Sequence, residues 1–363
     1  MGTLSRNELG RRLQAIRGVI WQEALAGDWF AELLRDYPAR LSTAPRGESR
    51  PSVSRSQLGA WMVRDPDVAC RLLADERFGF RRADGGKAHL QVLPLPRAHL
   101  AQERAVQQAM VDAVRPVLGQ AALRRSSGAV RRRAEQLLEG ADTRTEFDLL
   151  NAYAAPLATA VLADVLGLQD GQRAVLAGHQ LGLGLVPDAM VSPQTLPDVL
   201  ALSWATREVE ELLAEHGASG DTLGGMMAAS VLFLATAPTV IARSVAHRLS
   251  VGTDHGPVDG ALLRWPPLRL LTRVAHTDVD VEGHRVATDE QVVVPVTATG
   301  APDRLLAREP QYALIRPLLS MTVEFAVDTL LGRHPGLGLS GPPRRRGRSP
   351  VTGALSEMRV MRR

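Results

Sequence analysis

Leu232-Phe233-Leu234-Ala235-Thr236-Ala237-Pro238-Thr239-Val240 is the stretch whose reading decides the fold. It lies within Met226–Ile241, the longest apolar region of the chain, which is broken only by Ser230, Thr236, Pro238 and Thr239. The surrounding Thr222–Leu249 fits one long helix. The region lacks the ~18 uninterrupted apolar residues of a membrane span.

Working outward, Pro197–His216 fits another helix, and His99–Leu168 is helical with breaks at Pro116, Gly140 and Gly167. Pro156 belongs in a first helical turn, where its missing N–H costs nothing. The run Gly178-His179-Gln180-Leu181-Gly182-Leu183-Gly184 is glycine-rich but follows no strand, so a dinucleotide loop is not supported. Residues 42–52 form a loop by composition, and a second loop carries Gly85-Gly86, Pro94 and Pro96. Trp61-Met62-Val63 reads as a strand leading to Asp65-Pro66, a helix start, with a helix over Asp67–Phe78 and Gly79 just past its end.

Near the start, Leu9, Leu13, Ile16 and Ile20 recur on one helical face, with Arg11, Arg12 and Arg17 off it and Trp21, Trp29 and Phe30 following. This stripe either packs on its own domain or receives another protein; Leu9, Leu13, Ile16, Ile20 and Trp21 are the candidate interface. After the central helix, Val274–Val281 and Glu290–Val296 are β-branched and bracket the turn Glu282-Gly283-His284, a hairpin signal. A last helix, Leu319–Leu331, precedes a tail rich in Pro, Gly and Arg. The fold class expected is mainly α with a minor β region, one domain over 1–363, with a 1–36 helical segment as the candidate for partner binding and a 335–363 tail.

Composition narrows the chemistry. Hydrophobic residues are 45% and charged ones 23%, as in ordinary globular proteins. Net charge is +4 with a pI near 9.9, and Lys87 is the single lysine among 43 basic residues. The arginines reflect coding bias or recognition of phosphate, which guanidinium binds in a bidentate way. They are dispersed, and 4% aromatics is too few for a base-stacking surface. The runs Arg131–Arg133 and Arg344–Arg346 read as solvated faces or terminal charge, with nucleic-acid binding as another reading and contact of the tail run with the fold itself as a third.

One cysteine, Cys70, excludes an internal disulfide and a CxxC site. The opening MGTLSRNELGRRLQAIRG has no apolar core of a signal peptide, so a cytoplasmic location is expected. HExxH, GxSxG and GxxxxGK(S/T) are all absent from the sequence, and no residue is singled out as catalytic or as a metal ligand.

From Trp61 onward the order of segments resembles bacterial cytochromes P-450. Trp61–Phe78 (WMVRDPDVACRLLADERF) is similar to the first strand and helix of that fold, and Arg273–Val296 (RVAHTDVDVEGHRVATDEQVVVPV) to its later β region. Leu232–Val240 stands where the family carries A-G-x-D/E-T over the haem. There the glycine position is Thr236 and the acid position is Pro238, with Thr239 retained. The ExxR pair of the family is matched by Ala261 and Arg264, so the arginine survives without its acid. Arg273 would by this resemblance lie near a haem propionate.

The cysteine loop F-x-x-G-x-H/R-x-C-x-G is missing altogether: Tyr312–Leu319 runs straight into the last helix. The resemblance therefore implies a P-450-like fold with no haem, the positions Thr236, Pro238, Thr239, Ala261, Arg264 and Arg273 being vestigial, and no thiolate to drive oxygen cleavage.

The two ends, Leu9–Trp21 and Ser340–Pro350 (SGPPRRRGRSP), resemble a narrower group: the haem-less P-450-like helpers of deoxysugar glycosyltransferases in macrolide and anthracycline antibiotic pathways, with the erythromycin desosaminyltransferase helper the nearest resemblance. This implies a non-catalytic, cofactor-free protein that binds and activates or stabilises a TDP-deoxysugar glycosyltransferase, two copies of each, without nucleic acid or membrane. The alternative is a haem or small-molecule binder that uses His276 or His334 as an unconventional ligand.

Overall fold

The computed structural model describes residues 5–35, 51–89, 91–93, 95–141, 145–251 and 258–362. Most of the loop expected over 42–52 lies outside them. Helix α1 (Arg6–Leu25) begins at Ser5, whose hydroxyl accepts from the Glu8 N–H while the Glu8 carboxylate reaches back, a capping box. Asp28 caps α2 (Trp29–Leu34). Strands β1 (Val53–Arg55) and β2 (Ala60–Val63) lead to α3 (Pro66–Ala74), where the Asp65 carboxylate accepts from two N–H groups and Pro66 occupies the first turn.

Helix α3 ends earlier than expected. Asp75 turns extended, and Phe78-Gly79 becomes β3, paired with Val274 and Ala275. Gly79 is thus not a helix terminator. A Cβ there would fall on Glu103 and His276, so the glycine permits close approach.

Next come α4 (Arg104–Leu118), α5 (Gln120–Ala141), an unforeseen short strand β4 (Glu146–Asp148), a π-helical turn (Leu150–Ala154) and α6 (Ala155–Val165), with Pro156 in its first turn. Helix α7 (Asp170–Val191) contains the whole glycine run Gly178–Gly184. Its glycines serve packing: a Cβ on Gly182 would sit 2.6 Å from the Ala205 methyl. That close approach holds α7 against α8 (Leu196–Glu215).

The central helix α9 (Gly220–Val251) packs against α4, α6, α7 and the last helix. By length and mean hydropathy, α7 and α9 are apolar enough to cross a membrane, because scattered Ser, Thr and Pro lower the average little. The apolar window of α9 is wholly buried inside the fold, so α9 is the core helix of the domain.

After α10 (Val258–Arg264), the chain enters β5 (Leu270–Ala275), β6 (Val279–Val281), β7 (His284–Val286) and β8 (Gln291–Pro295). The predicted hairpin is β6–β7, with positive φ at both Glu282 and Gly283, as a tight two-residue turn requires. β5 pairs with β8 instead, in a sheet ordered β1-β2-β8-β5-β3 whose β2–β8 pair is parallel.

Two short helices, α11 (Val296–Thr299) and α12 (Pro302–Leu306), precede α13 (Pro310–Arg333), which starts nine residues before the expected Leu319. The stretch read as a tail is folded: β9 (Leu337–Leu339), β10 (Arg344–Arg345), β11 (Leu355–Glu357) and β12 (Arg359–Arg362), with β12 between β4 and β9. One hydrophobic cluster runs from Leu13 to Val360.

Candidate functional site

Of the vestigial positions, Thr236, Pro238 and Thr239 lie in the middle of α9, Ala261 and Arg264 on α10, and Arg273 on β5. Helix α9 passes Pro238 without a break. Proline has no N–H, so the carbonyl of Leu234 loses its usual donor four residues on. That carbonyl faces Gly184 of α7, where a Cβ would lie 3.5 Å from the oxygen. Thr236 is buried, and its hydroxyl donates to the Leu232 carbonyl at 2.7 Å. The Thr239 hydroxyl, by contrast, leaves its own helix and accepts from the Leu355 N–H at 3.0 Å. The retained threonine is a tether for the C-terminal strand.

The C-terminal segment is held to α7 and α9 along its length. Asp188 is fully buried; its carboxylate accepts from the N–H groups of Val351 (2.7 Å) and Thr352 (3.0 Å) and from the Thr352 hydroxyl (2.6 Å), with Arg346 at 3.4 Å. Burial pushes the Asp188 carboxyl up, and Arg346, the hydroxyl and the two N–H donors pull against that rise. Arg243 of α9 donates to the Gly353 carbonyl at 2.6 Å, and Arg346 to the Gly184 carbonyl at 3.1 Å. The arginine run 344–346 therefore serves the fold: Arg344 pairs with Glu357, and Arg346 reaches Asp188. In the other run, Arg133 binds Asp164 and Arg131 lies over the Phe325 ring.

Arg273 is the most informative residue. Its side chain is 1% exposed, and its guanidinium donates to the Glu309 carboxylate and, at 2.9 Å, to the Thr272 carbonyl. The same guanidinium lies 4.1 Å over the ring of Phe80. In the resemblance this arginine belongs to a haem propionate; here a carboxylate of the chain itself satisfies it. Glu309 and Phe80 escape a reading of the sequence, because one stands just before Pro310 like a helix cap and the other follows a glycine in a polar loop.

Ala261 is buried, whereas Arg264 has left the core and stacks on Trp265 at 5.2 Å. An unpaired buried cation would cost several kcal/mol, and exposure removes that cost.

These residues do not fit haem. The segment between β8 and α13 contains no cysteine, and Cys70 is buried in α3. The propionate partner is engaged by Glu309, and the threonine by Leu355. Neither histidine of the alternative reading belongs to α9. His276 follows β5, with Nε2 3.0 Å from the Arg81 carbonyl, and His334 is the C-cap of α13. Haemin added to the purified chain should keep the spectrum of free haemin. A shifted Soret band that His276→Ala or His334→Ala removes would establish a haem site.

The candidate interface on α1 divides. Leu13 and Ile20 are buried, and Leu9 and Ile16 pack against the core. These four hold α1 to its own domain, since a 3.6-residue stripe can face only one way. Trp21 alone points outward, half exposed, with Arg35 stacked 3.9 Å from its ring centre.

The architecture is that of a cytochrome P-450. The P-450 PksS of the Bacillus subtilis bacillaene polyketide synthase superposes with a TM-score of 0.71 over 91% of this chain and 97% of its own, at 14% identity. In sequence, AknT of Streptomyces galilaeus is 31% identical, with 96% of this chain and 94% of AknT covered. DesVIII of Streptomyces venezuelae is 29% identical, with 95% and 91% covered. No protein-family profile matches the chain. The chain belongs to the P-450-like auxiliary-protein family of AknT and DesVIII.

Proposed function

We propose that this chain is a non-catalytic subunit that binds and activates or stabilises a TDP-deoxysugar glycosyltransferase of macrolide or anthracycline antibiotic biosynthesis. It acts in the cytoplasm, in a heterotetramer with two copies of each protein. Of the deoxysugar systems, the terminal motifs favour that of the erythromycin helper. The observation that carries the reading is the pairing of Arg273 with Glu309. A scaffold that fills its cofactor's anionic position with its own side chain has given up the chemistry and kept the shape, and what a shape offers is surface.

Activation then follows from linkage. A protein that binds only the competent state of its partner raises that state's population by mass action. To lift a 1% competent population to half requires a preference of about 100-fold, or about 2.7 kcal/mol.

Co-expression of the tagged chain with nucleotide-deoxysugar glycosyltransferases of antibiotic producers tests the reading. The expected result is retention of a transferase in equimolar amount, in one particle whose mass corresponds to two copies of each. Purification of the chain alone from every such co-expression would overturn it.

A further inference from the structure

Helix α1 carries a second stripe beside its buried one. Arg6, Gly10, Gln14, Arg17, Trp21 and Leu25 follow one another at steps of four, four, three, four and four residues, so they form one continuous ridge. The first four line an open cleft of about 840 Å3 between α1 and the start of α8, closed on the other side by Thr195, Leu196 and Pro197. Gly10 forms its floor, against Leu196. Trp21 and Leu25, 50% and 75% exposed, extend the ridge beyond the cleft.

The cleft is cationic and under-neutralised. Arg11 also lines it, and neither Arg6 nor Arg11 has an ion-pair partner among the described residues. Arg17 donates to Gln14 and to the Gln194 carbonyl. Its guanidinium is held below its usual range by burial and by the charge of Arg348. The nearby carboxylates are engaged: Glu8 in the capping box, and Asp198 with the hydroxyl and N-cap role of Thr195.

Scale identifies the occupant. Arg6 and Arg17 are 11 residues apart, about 16 Å along the helix, too far for a single phosphate or diphosphate to bridge. The charges suit an extended acidic surface. The adjoining tryptophan and leucine supply an apolar anchor of the kind that dominates protein–protein contacts and that a phosphate backbone cannot satisfy.

We infer that this outer stripe, with the start of α8, receives the partner protein, which presents carboxylates to Arg6, Arg11 and Arg17 and an apolar socket to Trp21 and Leu25. The inference rests on the function proposed above and names the surface and the chemistry of that contact.

The test measures binding of the full-length chain to the glycosyltransferase that co-purifies with it. Trp21→Ala should weaken binding about 30-fold. Arg6→Glu with Arg11→Glu should weaken it about 10-fold at low salt, mainly by slowing association, and the difference from wild type should shrink in high salt. All three side chains are exposed, so the variants should keep the wild-type melting temperature. Trp204→Ala, on the separate exposed patch of α8, should bind as wild type does.

Equal affinity of the α1 variants and wild type, or a loss confined to Trp204→Ala, overturns the inference and leaves the proposed function standing. Failure of wild type to bind any transferase overturns the function itself. Binding of a DNA duplex that requires Arg6 and Arg11 would assign the cleft to nucleic acid and overturn the inference also.

Discussion

Deletion of residues 349–363 should leave no cooperatively folded protein. By composition the segment belongs to a tail rich in Pro, Gly and Arg, yet Val351, Leu355, Met358 and Val360 are all buried, two of them completely. At about 1.5–3 kcal/mol for each such side chain, their loss removes on the order of 6–12 kcal/mol. A typical domain has only about 5–15 kcal/mol in total. The deletion also strips Asp188 of three of its four donors and leaves a buried carboxylate facing Arg346 alone. Far-UV circular dichroism during thermal melting reads the outcome. A cooperative melt within a few degrees of the full chain would contradict the packing described for this segment. The milder Asp188→Ala should fold and lose about 3–5 kcal/mol, because the donors it leaves are buried.

Glu309→Gln should be the most costly single conservative change in the vestigial site. It leaves the Arg273 guanidinium buried, charged and without a counter-ion, a situation that costs about 3–5 kcal/mol. The urea midpoint should fall accordingly. Replacing both residues, as Arg273→Met with Glu309→Leu, removes the stranded charge and should recover most of the loss, since apolar pairs of similar volume often equal or exceed a buried ion pair. A single variant within ~1 kcal/mol of wild type would mean that Arg273 has another acceptor and that Glu309 does not stand in for the propionate.

Much of the fold was legible for local reasons. α9 shows itself by the longest apolar region of the chain, the hairpin by its Glu282-Gly283 turn, and α3 by Asp65-Pro66 at its start. What escaped depends on distant partners. The glycines of α7 have no evident role in the sequence until Ala201 and Ala205 of α8 are beside them. The C-terminal strands have turn-like composition, and their burial comes from Asp188 and Thr239, each more than a hundred residues away.

The site divides in the same way. The losses at Thr236, Pro238, Ala261 and the cysteine loop are visible in the sequence as departures from a pattern. The compensation by Glu309 is visible only in three dimensions, because no local pattern ties it to Arg273. For α1, periodicity alone finds the stripe and cannot say which side of it is covered. Leu9, Leu13, Ile16 and Ile20 prove to face the core, and the open ridge runs one position round the helix.

In the function proposed above, the chain works through a partner's activity and has none of its own. The most direct measurement is the turnover of a purified nucleotide-deoxysugar glycosyltransferase with its sugar donor and aglycone, before and after addition of the purified chain without haem. The account predicts little product from the transferase alone, and a rate that rises with added chain and saturates near one copy per transferase. A transferase that turns over at its full rate alone, unchanged by the chain, would contradict it.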